Sequence, residues 1–228
     1  MKRRKGFGLI ICLLVAASIT QGQVIAQALK ENTVLDEKVK KFLSDHSGQW
    51  HDLNIPTTDG QLLYDLIVKG KYKNALEIGT STGLSGIYIA WALSKTGGKL
   101  ITIDIDEVRY KTASENFKQA GLSEYIDARL ADAHLLVKEL KGPFDFVFSD
   151  ADKNWYKNYF IDVDPKLKVG GCFTTHNISD RSLGGRGGRG GNGWSDSYFE
   201  YVKSLKNYES TLNTDGGGVL ISYKKAEK

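Results

Sequence analysis

The chain has 228 residues and a formal charge of +4, with 41% hydrophobic and 25% charged residues. That length suffices for one α/β domain with a full core, and the balance is ordinary for a globular protein. Part of the positive charge sits in Lys2, Arg3, Arg4 and Lys5, so the remainder is near neutral, which argues against a nucleic-acid binder working through bulk charge.

The basic start leads into an apolar run, Phe7 to Ile19, short for a bilayer span, and then into polar and small residues with Val24-Ile25-Ala26 as a cleavage site. This reads as a signal peptide over 1–26, followed by an exported domain over 27–228. An uncleaved membrane anchor through residues 7–19 is the alternative, and in both cases the domain lies outside the cytoplasm. The mature chain has no further apolar run of membrane length. Cys12 lacks a small residue before it, which speaks against a lipid anchor. Cys172 is the only other cysteine, so the processed chain carries no intramolecular disulfide.

Val34, Leu35, Val39, Phe42 and Leu43 are spaced for one helix face, and Gln61 to Val68 predicts a second helix. Strands and helices then alternate. Strands are expected at Ala75–Ile78, Leu100–Asp104, Ile126–Leu130, Phe144–Phe148 and Cys172–Thr175. Helices are expected at Leu84–Leu93, Glu107–Ala120, Leu135–Leu140 and over most of Asn154–Leu167. Such βα units need crossovers, so the sheet should be mainly parallel with helices on both faces. The tail departs from this: Tyr208–Asn213 and Val219–Tyr223, joined by Asp215-Gly216-Gly217-Gly218, predict an antiparallel hairpin. Ser182 to Gly193 is a glycine-arginine stretch with no core-forming side chains and reads as a flexible loop over the same crevice as His176 and Asn177.

Three strand ends carry the chemistry. The first runs into Glu77-Ile78-Gly79-Thr80-Ser81-Thr82-Gly83-Leu84-Ser85. Glycines there let a ligand approach the main chain, and the following helix offers free N–H groups. The second ends at Asp104, where a carboxylate can accept from ribose hydroxyls. The third ends in Ala131-Asp132-Ala133, where an acid can receive an adenine amino proton. Polar groups at three neighbouring strand ends make a ligand crevice, and the lack of a basic residue in the glycine turn disfavours a phosphate site.

The run from Ala75 to Ser85 resembles motif I of class I S-adenosylmethionine (SAM) dependent methyltransferases. Phe144-Asp145-Phe146-Val147-Phe148-Ser149-Asp150-Ala151-Asp152-Lys153 resembles the corresponding segment of caffeoyl-CoA and catechol O-methyltransferases. So do Thr57-Thr58-Asp59-Gly60-Gln61, Leu167-Lys168-Val169-Gly170-Gly171 and the final hairpin. The resemblance runs from about Val34 to the C-terminus. It implies a Rossmann-like fold with a seven-stranded sheet, and methyl transfer to a hydroxyl of a small, catechol-like acceptor. It implies a SAM pocket around Glu77, Gly79, Ser81, Gly83, Ser85, Asp104, Asp132, Ala133 and Asp150, with Ser85 at the methionine carboxylate, Asp104 at the ribose, and Asp132 and Ala133 at the adenine edge.

By the same resemblance Asp150 is a metal ligand and Lys153 the catalytic base. The family carries an Asp-Asn pair on the fifth strand as the remaining ligands, and here the pair is His176-Asn177. An all-oxygen set suits Mg²⁺, whereas an imidazole shifts preference toward Mn²⁺, Fe²⁺ or Zn²⁺. The alternative is a metal-independent enzyme with His176 as base. His46, His51 and His134 match no metal spacing and read as ordinary. Trp50, Trp155 and Trp194 suit a substrate pocket, and the core at least as well. The tract Arg186-Gly187-Gly188-Arg189 has too few arginines, and no stacking aromatics, for an RNA-binding segment. The expected partner is therefore a small molecule rather than nucleic acid, and a homodimer is compatible with it.

Overall fold

The computed structural model describes residues 31–51, 53–179 and 194–227, with only the backbone of 194–196. The signal-peptide segment 1–26 and the glycine-arginine loop 182–193 lie outside the described residues.

Helix α1 (Thr33–Asp45) starts at Asn32, whose side chain accepts from the Leu35 N–H at 3.1 Å. It buries Leu35, Val39 and Phe42, the spacing read from the sequence. Helix α2 spans Thr57–Gly70 and begins a turn before the expected Gln61. Hydrophobic periodicity misses that first turn because its inward residues are Asp59 and Gly60. Gly60 has no Cβ because one would stand 2.4 Å from the Tyr88 ring of the neighbouring helix.

The strands are β1 (Asn74–Ile78), β2 (Lys99–Asp104), β3 (Ile126–Leu130), β4 (Phe144–Ser149), β5 (Leu167–His176), β6 (Tyr208–Asn213) and β7 (Val219–Lys224). The intervening helices are α3 (Leu84–Thr96), α4 (Glu107–Ala120), α5 (Ala133–Glu139), α6 (Tyr156–Val163) and α7 (Trp194–Lys203). The seven strands form one sheet in the order β3-β2-β1-β4-β5-β7-β6. β1 to β5 pair in parallel, and β7 runs antiparallel to both β5 and β6. This is the predicted parallel sheet closed by a hairpin.

Period-two side chains on the buried strands feed two cores. Leu76, Ile78 and Val147 face α5, α6 and α7, while Ala75, Phe146 and Phe148 face α2 and α3. Each of these side chains larger than alanine, fully buried, contributes roughly 1.5–3 kcal/mol. A third cluster joins α1, α3 and α4.

Three further elements differ from expectation. β5 is ten residues long because Leu167 to Gly171 also run extended, with Leu167 buried beside Phe144. The 154–167 stretch is a short α6 flanked by 3-10 turns at Lys153–Trp155 and Asp164–Lys166. Helix α7 was not anticipated at all. Its signal was the spacing of Tyr198, Phe199 and Val202, all buried, hidden behind the glycine-rich run before it. Cys172 is buried and free, and burial pushes its thiol far up. Among the described residues no helix is long and apolar enough to cross a membrane.

Candidate active site

Chain order reverses at β1, which lies between β2 and β4, and open parallel sheets place their ligand crevice at such a switch point. A cavity of about 380 Å³ opens there. Gly79, Ser81, Ser85, Asp104, Asp132, Ala133 and Asp150 all line it, so the ends of β1 to β4 and the start of α3 converge there. Leu53 and Ile105, both mostly exposed, form apolar walls.

The turn after β1 is shaped by backbone geometry. Gly79 has φ +99°, and a Cβ on it would lie 2.6 Å from the Asp150 carbonyl oxygen. Glycine is needed because β1 and β4 converge there. Ser81 adopts φ 48°, and its N–H donates to Asp104 Oδ2 at 2.7 Å. The other oxygen, Oδ1, accepts from the Asp106 N–H at 2.9 Å. The Asp104 carboxylate is thus fixed in place at the end of β2, with lone pairs left for a ligand hydroxyl. Asp132 caps α5 by accepting from the His134 N–H at 2.8 Å.

Two expected pocket residues lie behind the cavity wall. Glu77 is fully buried, and its Oε2 accepts from Thr102 Oγ1 at 2.6 Å. Burial pushes its carboxyl up to about 7, against the hydrogen bonds from Ser85 and Thr102 that hold it down. Gly83 stands at the N-cap of α3 with φ +97°, and the space of its missing Cβ is filled by the Phe117 ring.

His134 is not the ordinary residue that its spacing suggested. It lines the cavity between Asp132 and Asp152, with ring nitrogens 3.7 and 3.4 Å from their carboxylates. Trp155 stacks on it at a centroid distance of 4.4 Å, which gives that tryptophan a place beside the pocket. Trp50 packs edge-on against Phe42 instead, away from the cavity. The side chain of Trp194 is outside the described residues.

Asp150 links the cavity to a second polar cluster. Its Oδ1 accepts from Lys153 Nζ at 3.2 Å and from the Tyr156 hydroxyl at 3.3 Å. Lys153 Nζ also donates to Asn177 Oδ1. Asn177 adopts φ 58°, a left-handed conformation that asparagine tolerates and that directly follows β5. His176 Nδ1 lies 3.0 Å from Asp150 Oδ2, and His176 Nε2 lies 2.9 Å from Asp59 Oδ2. Burial disfavours the charged imidazole, but the hydrogen bonds to Asp150 and Asp59 outweigh it and raise the ring to about 9.

Asp59 was not singled out as a site residue, since nothing in one sequence ties the second helix to the fifth strand. The hairpin glycines belong to the same cluster. The Gly217 N–H donates to Asp59 Oδ2 at 2.7 Å, and a Cβ on Gly217 would stand 2.5 Å from His176 Nε2.

The trio Asp150, His176 and Asn177 does not fit a divalent ion in this arrangement. Carboxylates only accept, so both His176 nitrogens donate and neither offers a lone pair. Asp150 Oδ1 and Asn177 Oδ1 already accept from Lys153. Among the described residues no group of three or more His, Cys, Asp or Glu is arranged to hold a metal. The same geometry leaves His176 no free acceptor with which to act as a base.

A family model described as O-methyltransferase matches residues 25–180, a span that includes every strand-end acid, Lys153 and the His176-Asn177 pair. The chain belongs to this O-methyltransferase family. This family member is 34% identical over 164 residues to caffeoyl-CoA O-methyltransferase 1 of Eucalyptus globulus, covering 68% of this chain and 66% of that protein. It is 38% identical over 149 residues to the catechol O-methyltransferase of Niastella koreensis, covering 57% and 67%. It spans 64–66% of the length of plant relatives that it matches, slightly less than two thirds. The O-methyltransferase of Bacillus cereus, solved in complex with SAH, superposes with a TM-score of 0.68 at 22% identity, over 86% of this chain and 92% of that one. A Streptomyces achromogenes O-methyltransferase in complex with SAM gives 0.68 at 23% identity, over 87% and 92%. At such identities the superpositions establish a shared fold.

Proposed function

We propose that this O-methyltransferase family member transfers the methyl group of SAM to a hydroxyl of a small aromatic acceptor of the catechol or caffeoyl-CoA kind. The observation that carries the reading is the set Ser81, Ser85, Asp104 and Asp132 around a cavity of about 380 Å³, within the roughly 300–1,000 Å³ of small-molecule pockets. The names of the relatives, a caffeoyl-CoA and a catechol O-methyltransferase, support that choice of acceptor class.

SAM supplies a methyl group made electrophilic by its sulfonium. Asp104, held by the Ser81 and Asp106 amides, receives the ribose hydroxyls, and Asp132 receives the adenine amino group. Ser85, in the first turn of α3, takes the methionine carboxylate. The acceptor approaches past Asp150. Its hydroxyl oxygen bonds to the methyl carbon as the carbon–sulfur bond breaks, the electron pair stays on sulfur, and the hydroxyl proton passes to the Lys153 amine as general base. The chain's main contribution is alignment of the two reactants. No step passes through a metal, and none uses His176 as base.

Export through residues 1–26 is part of the same proposal, checked by mass spectrometry of the native N-terminus. The cofactor is tested by calorimetry of the domain with SAM and its demethylated product. Saturable binding of either is expected, and no binding at millimolar concentration would end the proposal.

A further inference from the structure

The family resemblance calls for a divalent ion between the end of β4 and the end of β5. In this chain those positions hold a closed hydrogen-bonded chain of side chains instead. It runs Asp59, His176, Asp150, Lys153, Asn177, with links of 2.9 Å, 3.0 Å and 3.2 Å and a final Lys153–Asn177 contact. Every atom that could bind a metal from the expected trio is engaged: both ring nitrogens of His176, both oxygens of Asp150, and Oδ1 of Asn177.

The surroundings are built for the imidazole. Asp59 is 1% exposed and His176 is 4% exposed. A buried carboxylate without a cationic partner is costly, so Asp59 in the first turn of α2 fits a histidine at position 176 and would repel an aspartate there. The hairpin turn is fitted to the same pair. Gly217 donates to Asp59, and neither Gly216 nor Gly217 has room for a Cβ, which would fall 2.0 Å from Asp59 Oδ1 and 2.5 Å from His176 Nε2 respectively.

We propose that His176 and Lys153, clamped by Asp59, Asp150 and Asn177, take the place of the divalent ion, making this chain a metal-independent branch of its family. The acceptor oxygen would then meet the Lys153 amine rather than a metal. Only that last statement rests on the function proposed above.

The test is calorimetric titration of the full chain, stripped with chelator, with Mg²⁺, Mn²⁺ and Zn²⁺ at neutral pH. No saturable one-to-one binding at the cluster is expected up to millimolar ion. Saturable one-to-one binding by the wild type that disappears in Asp150→Asn would overturn the proposal, whereas binding that survives Asp150→Asn lies elsewhere and leaves it standing. His176→Asp sets three carboxylates against one amine and should gain binding of at least one ion by tenfold or more. If that variant is folded by circular dichroism and still ignores all three ions, the proposal is equally wrong. If it does not fold, the wild-type and Asp150→Asn titrations decide. A parallel SAM titration separates the two readings, since failure to bind SAM ends the proposed function and leaves the metal result untouched.

Discussion

His176 Nε2 and Asp59 Oδ2 lie 2.9 Å apart, although 117 residues separate them in the chain. The pair ties the start of α2 to the end of β5, beneath the hairpin turn. Removing one partner leaves the other charge buried and uncompensated. Asp59→Ala should therefore lower unfolding stability by about 3–5 kcal/mol, measured by urea denaturation at neutral pH. A loss under 1 kcal/mol would mean that the pair is open to solvent.

The same pair sets a pH dependence. The imidazole is raised from 6.5 to about 9, so the folded state holds its proton more tightly than the unfolded chain. Its contribution, on the order of 3 kcal/mol at about 1.4 kcal/mol per unit, is fully present below pH 6.5 and is lost as pH rises through 9. Glu77, raised from 4.5 to about 7 by burial, also binds its proton more tightly in the folded state, so its contribution is full below pH 4.5 and is lost as pH rises through 7. Denaturation curves from pH 5 to 10 should show both slopes, and His176→Gln should flatten only the upper one. An unchanged upper slope in that variant would assign it to another group.

Asp104 is held open to a ligand by two backbone amides. Asp104→Ala should weaken SAM binding by roughly 1.5–3 kcal/mol for each charge-assisted hydrogen bond lost. Calorimetry gives the number directly, and an unchanged affinity would remove Asp104 from the ribose site.

Lys153 sits one hydrogen bond from the cavity wall through Asp150. Lys153→Met should cut kcat for methyl transfer by about 10²–10⁴ while SAM affinity stays within a factor of two or so, since Lys153 itself does not line the cavity. An equal loss of SAM binding would point to a structural role.

Gly217 is the least conspicuous residue of the cluster. Gly217→Ala drives a methyl group toward His176 Nε2, at 2.5 Å, and should cost about 1–3 kcal/mol of stability. Gly217 does not adopt a left-handed conformation, so the cost is steric, and a loss well under about 1 kcal/mol in urea denaturation would mean that the turn has room for a methyl group.

Much of the fold was legible because local pattern and topology agree. Alternating apolar strands and amphipathic helices dictate crossovers, and the glycine-rich break before β7 dictates a hairpin. The strand-end acids Asp104, Asp132 and Asp150 were legible for the same reason, since parallel strands bring their C-terminal ends to one edge. Helix α7 is hidden in the sequence because a twelve-residue glycine-rich run, Ser182 to Gly193, precedes it. The early turn of α2 was missed because its buried residues are an aspartate and a glycine, which no apolar periodicity reveals.

The sequence by itself determined the sheet, the crevice and the departure at position 176. What His176 does was decided only by tertiary structure. An imidazole has two nitrogens, each of which can donate, accept or bind a metal, and its neighbours choose among these roles. Those neighbours, Asp59 from α2, Asp150 from β4 and Gly217 from the hairpin, come from three distant stretches of chain. Until the chain folds, nothing in the spacing of His176 distinguishes a metal ligand from a clamped cation.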